Sequence, residues 1–303
     1  MKPAAWFDRR GWSDIIIGVP YAWAIVFILV PIVIVSALSF AVPVLNSPPY
    51  AFAQSWPYVS TGSFHRLFAD SIYVRSFGVS LFNAGVATVL CLLIGYPMAL
   101  GLTRVSKAAN RVLLMLIVLP FWTSFLLRVY AWIGLMGTTS WFNRLLTSLY
   151  NVLVPQAWHV PHIQIMYTNF AVIFVVVYSY LPFMILPLYA NLEKLDRTLD
   201  EAAMDLGSRP WQVFVDVTLP LSMPGIIAGG LLVFIPAAGE LVIPGLVGNM
   251  ADPMIGAIIS EEFGLNHDWP MAASISVALL VVLVVPLMAY TRFQSRAEAG
   301  ARG

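Results

Sequence analysis

Apolar residues in this chain do not alternate with polar ones; they run together in long blocks separated by short polar stretches. A helix needs about 20 consecutive apolar residues to cross the hydrocarbon core of a bilayer. Six blocks meet that length: 15–40, 76–103, 112–133, 168–190, 224–247 and 271–290. The first two contain no charged residue, the third is interrupted only by Arg128, and the fifth carries Glu240 among Pro236, Gly239, Pro244 and Gly245. All six are read as helices, because backbone polar groups inside lipid must be satisfied within the segment. The pattern predicts an all-α, polytopic membrane protein: one transmembrane domain over 1–303 with six spanning helices.

Composition agrees with the pattern. The chain is 60% hydrophobic and 10% charged, where soluble domains run at roughly 45–50% and about 25%. Its net charge of +1 gives no global field that would draw it to nucleic acid. The single cysteine, Cys91, excludes an intrachain disulfide and a cysteine metal cluster. The basic head of Lys2, Arg9 and Arg10 resembles that of a signal peptide. The apolar run behind it is too long for a cleaved one, whose core spans roughly 7–15 residues, so an uncleaved signal-anchor is expected.

Charge placement predicts the orientation, since lysine and arginine are retained on the cytoplasmic side. With both termini inside, Lys2, Arg9, Arg10, Arg104, Lys107, Arg111, Lys194, Arg197, Arg209, Arg292, Arg296 and Arg302 are cytoplasmic, and Arg66, Arg75 and Arg144 fall outside. Outer loops are then expected at 41–74, 134–167 and 248–270, and one sizeable inner loop at 191–223.

That inner loop holds nine charged residues. Thr198 followed by Glu201 has the spacing of a capping box, so a short helix is expected from Leu199. Gly207 suits the left-handed position that ends a helix, and Pro210 the first turn of the next. Leu199, Ala202, Ala203 and Leu206 share one face at helical spacing. A helix of about two turns is unstable alone in water, so this face needs a partner surface.

The run Glu201-Ala202-Ala203, three residues, Gly207, nine residues, Val217, one residue, Leu219-Pro220 resembles the EAA loop of ABC importer permeases, with Val217 where isoleucine is usual. Gly95-Tyr96-Pro97, the stretch from Leu119 to Trp132, and Pro236-Ala237-Ala238-Gly239-Glu240 narrow the resemblance to permeases of the putrescine and spermidine (polyamine) family, nearest to the first permease of putrescine importers. The similarity covers nearly the whole chain. It implies a type I importer permease fold in the bacterial inner membrane, and a coupling helix that docks on an ATPase subunit through Glu201, Ala202, Ala203 and Gly207, with Leu219 and Pro220 completing the motif. It further implies a heterodimer with a second permease, two ATPase subunits and a periplasmic substrate-binding protein. This chain would hold no cofactor, ATP and Mg being bound by the partner ATPase.

Absent motifs point the same way. The sequence has no GxxxxGK[ST] phosphate loop, no HExxH and no GxSxG, and His65, His159, His162 and His267 all fall in expected outer loops. Neither ATP hydrolysis nor another catalytic activity is expected of this chain. The alternative to an ATP-driven importer is a secondary transporter or channel for a small cation acting without an ATPase; it leaves the inner-loop motif unexplained.

An ionisable residue within a span is costly enough to mark a functional site. Arg128 and Glu240 each lie 16 positions along an outward-running span, about 24 Å at 1.5 Å per residue. They could pair with each other or reach the outer headgroups; otherwise Glu240 lies on the path of a cationic substrate. Asp252, Glu261, Glu262 and Asp268 make the last outer loop acidic, without lysine or arginine. They form either an acidic vestibule that concentrates cations or a solvated loop shaped by the topology bias. Trp122, Tyr130, Tyr180 and Trp269 are candidates for cation–π contact, or for interfacial anchoring.

Overall fold

The computed structural model describes residues 9–45, 47–52, 59–196 and 198–300. Lys2, Arg197 and Arg302, counted in the charge bias, lie outside them. The elements run α1 (Arg9–Ala24), a π turn Ile25–Leu29, α2 (Val30–Leu38), a short antiparallel pair β1 (Val42–Pro43) and β2 (Tyr50–Ala51), α3 (Gly62–Ala69), α4 (Ser71–Arg104), α5 (Lys107–Val118), α6 (Phe125–Met136) and α7 (Trp141–Leu153). They continue with α8 (Asn169–Leu192), α9 (Thr198–Asp205), α10 (Pro210–Val213), a π turn Phe214–Thr218, α11 (Leu219–Ala238), α12 (Val242–Val247), α13 (Ile255–Gly264) and α14 (Trp269–Gly300).

Among the described residues, four helical stretches are long and apolar enough to cross a membrane: Ile16–Leu38, α4, α8 and Pro210–Ala238. The third expected span differs from expectation. It is not one helix but two, Lys107–Trp122 and α6, bent by 90°. Pro120 has no N–H to carry the ladder forward, the chain tightens into a 3₁₀ turn at Leu119–Trp122, and Thr123 is extended. The Thr123 hydroxyl donates to the Pro120 carbonyl at 2.7 Å, satisfying a group the broken ladder frees. The fifth expected span also shifts. Its helix begins before residue 224, runs through α11 and stops at Ala238. All three expected outer loops carry helices: α3 lies within 41–74, α7 within 134–167 and α13 within 248–270.

The chain divides into two compact units, Met1–Ser71 with Ile259–Gly303, and Ile72–Ile258. In the first, α14 packs on α2 and α3. The Ser274 hydroxyl donates to the Ser39 carbonyl at 3.0 Å, while Trp269 stacks between Tyr50 and Phe263 with centroids at 6.0 and 5.0 Å.

In the second unit α8 is the centre, with Val172, Val175, Met184, Ile185 and Leu188 almost fully buried. Its main partner is α11. The face of α11 that meets α8 is small because Gly225 and Gly229 sit four apart: a Cβ on Gly225 would lie 2.7 Å from the Asn191 Cβ, and one on Gly229 2.8 Å from the Met184 Sδ and 3.0 Å from its carbonyl oxygen. Small residues at this spacing let two helices in lipid approach until their backbones touch. α4 joins the same core through a stripe of small residues, Ala84, Ala87, Cys91, Gly95 and Ala99. The Cys91 thiol meets the Val177 carbonyl at 3.6 Å.

Candidate functional site

The short inner helix forms as the sequence indicates, one residue early, at Thr198. Its N-terminus is held by Asp196 rather than by a Thr198 capping box: Asp196 Oδ1 accepts from the Thr198 N–H at 3.0 Å. Those hydrogen bonds from Thr198 hold the exposed Asp196 carboxyl below the usual range. An aspartate two residues upstream closes an Asx turn, which competes directly with the Thr–Glu box. At the other end Gly207 has φ +90°. It donates to the Met204 carbonyl at 2.9 Å, and Ser208 donates to that of Ala203 at 3.1 Å, closing the last turn.

No residue of α9 is buried. Leu199 is half exposed, and Leu206 stands 89% exposed. Glu201 and Ala202 are exposed and Ala203 is half-buried. The inward side is fixed by Asp200, whose Oδ1 accepts from the Thr218 hydroxyl at 3.2 Å. Behind the helix a cavity of about 250 Å³ is walled by α4, α8 and α11, with Arg104, Asp196, Asp200 and Glu201 on its rim. The helix packs on α10 and the π turn Phe214–Thr218, over a cavity walled by the ends of α4, α8 and α11, and leaves Leu199 and Ala202 exposed.

Leu219 and Pro220 open α11. Pro220 cannot donate to the carbonyl four residues back, and the backbone widens into the π turn Phe214–Thr218 just before it. Tyr96 of the Gly95-Tyr96-Pro97 run clamps this junction: its hydroxyl is 2.9 Å from the Ser222 hydroxyl and its ring meets Phe214 edge-on at 5.5 Å. Packed contacts therefore run from α9 through Asp200–Thr218 to the start of α11 and, through Phe214 and Ser222, to Tyr96 of α4.

Glu240 is not inside a helix. It occupies the break between α11 and α12, 9% exposed. Its Oε1 accepts from the Val242 N–H at 3.0 Å and the Ile243 N–H at 3.4 Å, capping α12, while its Oε2 accepts from the Tyr180 hydroxyl at 2.6 Å. Gly256 presses on the same break: a Cβ there would lie 2.6 Å from the Gly239 carbonyl oxygen and 2.7 Å from that of Glu240.

The Glu240–Arg128 pair considered from depth alone is not formed. The Glu240 oxygens are taken by Tyr180 and by helix amides, and the Arg128 guanidinium lies over the Phe125 ring at 5.8 Å. The buried Nε and Nη1 of Arg128 have no hydrogen-bond partner. The 90° bend between Lys107–Trp122 and α6 takes Arg128 off the straight helix on which it would have reached the depth of Glu240. Trp122, at the bend, is 82% exposed and Tyr130 55%. Tyr180 serves as a hydrogen-bond donor to a carboxylate, a use its aromatic character did not suggest.

The four acids of 248–270 are engaged separately. Asp252 pairs with Arg75 in one unit, and Asp268 pairs with Arg66 at 2.8 Å in the other. Glu262 is buried and accepts from Asn266 at 3.1 Å, while Glu261 is exposed. Two of the four negative charges are thus offset by arginines, Arg75 and Arg66. Sequence reading passed over Gly225, Gly229 and Gly256; the four-residue spacing of the first two was the available signal.

Long apolar helices packed around α8, with one span bent and a short exposed helix at the start of α11, are the architecture of a membrane transport subunit. The chain belongs to the family described as binding-protein-dependent transport system inner membrane component, which it matches over residues 91–298. It is 38% identical over 280 residues to the spermidine/putrescine transport system permease protein PotB of Haemophilus influenzae, covering 92% of this chain and 93% of that one. It is 36% identical to PotB of Escherichia coli K12 over 270 residues, 89% and 93% of the two chains. Its fold is similar to a chain of a bacterial alginate ABC transporter crystallised with an alginate-loaded periplasmic protein, at a TM-score of 0.67, 16% identity, and coverage of 95% and 96%. This chain is an ABC importer permease rather than an enzyme.

Proposed function

We propose that this permease imports polyamines, with putrescine the first candidate and spermidine the second, as one half of a heterodimer with a second permease. Two ATPase subunits and a periplasmic binding protein complete the complex. The observation that carries this reading is α9: without a buried residue, closed at both ends and packed on α10 and the π turn that leads into α11. That is the surface an ATPase subunit needs. ATP and Mg belong to that subunit; this chain receives the movement. Closure of the ATPases draws the coupling helices together and opens the path outward, and hydrolysis resets it.

Both termini are assigned to the cytoplasm and six crossings to the chain, the bent pair and α14 supplying two of them. A cationic cargo fits the chemistry of Glu240, a buried carboxylate held at a helix break, since irregular backbone at membrane depth is tolerated where protein encloses it. Glu261 and the partly offset Asp252 and Asp268 add negative charge on the outer side. Competitive uptake of putrescine and spermidine through the assembled complex tests the substrate: either diamine or triamine should block uptake of the other, and failure of both to enter would refute the reading.

A further inference from the structure

The helix α7 is inside out for a solvated loop. At 100° per residue, Trp141, Leu145, Leu149, Val152 and Leu153 fall on one arc. All five are exposed, from 50% at Leu145 to 84% at Leu153. The polar side is the one that packs. Asn143 is buried and donates to the Ile163 carbonyl at 2.8 Å, and Thr147 accepts from the Ile163 N–H at 3.2 Å. Asn151 exchanges two hydrogen bonds with Val160, at 3.0 and 3.1 Å. Ser140 caps the helix by accepting from the Asn143 N–H at 3.0 Å. The geometry is fixed at both ends and along the polar face, and the apolar arc is held outward.

Water is a poor partner for such an arc, and a contiguous exposed apolar patch marks an interaction surface. We propose that α7 lies in the plane of the bilayer–water interface, on the side where α6 ends, with its apolar arc seated in the acyl boundary. Three observations select lipid over a protein partner. Only the turn at 137–140 separates α7 from α6, part of the bent spanning pair, so the helix starts at membrane level. Trp141 and, just beyond the helix, Trp158 are both 67% exposed, and tryptophan is the residue that sits at headgroup depth. Arg144, beside the Trp141 edge of the arc, is exposed and folds back to the Thr139 carbonyl at 2.8 Å, supplying a cation next to the apolar face. A short helix with an apolar face and a flanking cation is the make-up of an interfacial helix.

The test uses the assembled complex in vesicles of phosphatidylethanolamine and phosphatidylglycerol. The one native cysteine, Cys91, is buried, so Leu149→Cys and, as a second site, Leu145→Cys can each be labelled with an environment-sensitive fluorophore, with His162→Cys as the wet reference. Emission at Leu149 and Leu145 should shift to the blue and be quenched by doxyl-labelled lipid, while His162 should be quenched by aqueous iodide. Iodide quenching at Leu149 and Leu145 matching that at His162 overturns the proposal. So does shielding from iodide at Leu149 and Leu145 without quenching by doxyl-labelled lipid, because the arc would then be a protein interface.

Discussion

The Tyr180 hydroxyl donates to Glu240 Oε2 at 2.6 Å, tying the central helix α8 to the break that separates α11 from α12. The other carboxylate oxygen is committed to the first amides of α12. Glu240 therefore has one oxygen that builds structure and one whose partner is a neutral hydroxyl, which an ammonium group can replace with a stronger, charge-assisted bond.

That division of labour separates two substitutions. Glu240→Gln retains an acceptor for the α12 amides but removes the charge, so the complex should assemble normally while polyamine uptake falls at least about tenfold, equivalent to about 1.4 kcal/mol. Glu240→Ala also removes the cap and should lower stability by about a further 1 kcal/mol. Uptake in proteoliposomes and thermal unfolding in detergent read the two effects apart. Unchanged uptake in Glu240→Gln would assign the residue to structure alone.

Gly207 sits at φ +90°, a conformation that costs other residues about 1–2 kcal/mol. Gly207→Asp should leave membrane insertion and subunit assembly intact and abolish the ATPase stimulation that accompanies transport. A bulky residue at the half-buried Ala203 should do the same. Normal transport-linked ATPase in either variant would remove α9 from the coupling role.

The α8–α11 contact should be intolerant of added volume. A methyl group at Gly225 or Gly229 meets atoms at under 3 Å, so Gly229→Ala should destabilise the protein by about 1–3 kcal/mol. Gly245, with open space around its Cβ position, is the control: Gly245→Ala should leave the unfolding temperature nearly unchanged.

Asp196 carries a pH signature. Its carboxyl is held low by the hydrogen bonds from Thr198, so the cap contributes fully above the ordinary aspartate range and is lost only as pH falls through the depressed value. Asp196→Ala should therefore weaken ATPase coupling equally at pH 6 and pH 8. A coupling defect that grows between those two values would contradict the assignment of the cap.

Much of this was legible in the sequence because membrane and loop signals are local. Charge-free runs gave the long helices, and Thr198 to Gly207 gave the inner helix to within one residue. What escaped depends on distant partners or on competition between adjacent signals. Asp196 outcompeted Thr198 for the cap; Pro120 and Thr123 together bent a span that hydropathy reads as continuous. The Tyr180–Glu240 bond joins residues 60 positions apart, and no periodicity reports it. The helix α7 was hidden because its apolar arc is too short to register as a span, although its 3.6-residue spacing is present in the chain.

The most direct measurement is accumulation of labelled putrescine in proteoliposomes holding the complete complex, with ATP supplied on the ATPase side, against vesicles without ATP and vesicles holding this permease alone. The account predicts uptake only in the complete, ATP-supplied complex, and its loss in Gly207→Asp. Uptake by this chain alone, or without ATP, would contradict it.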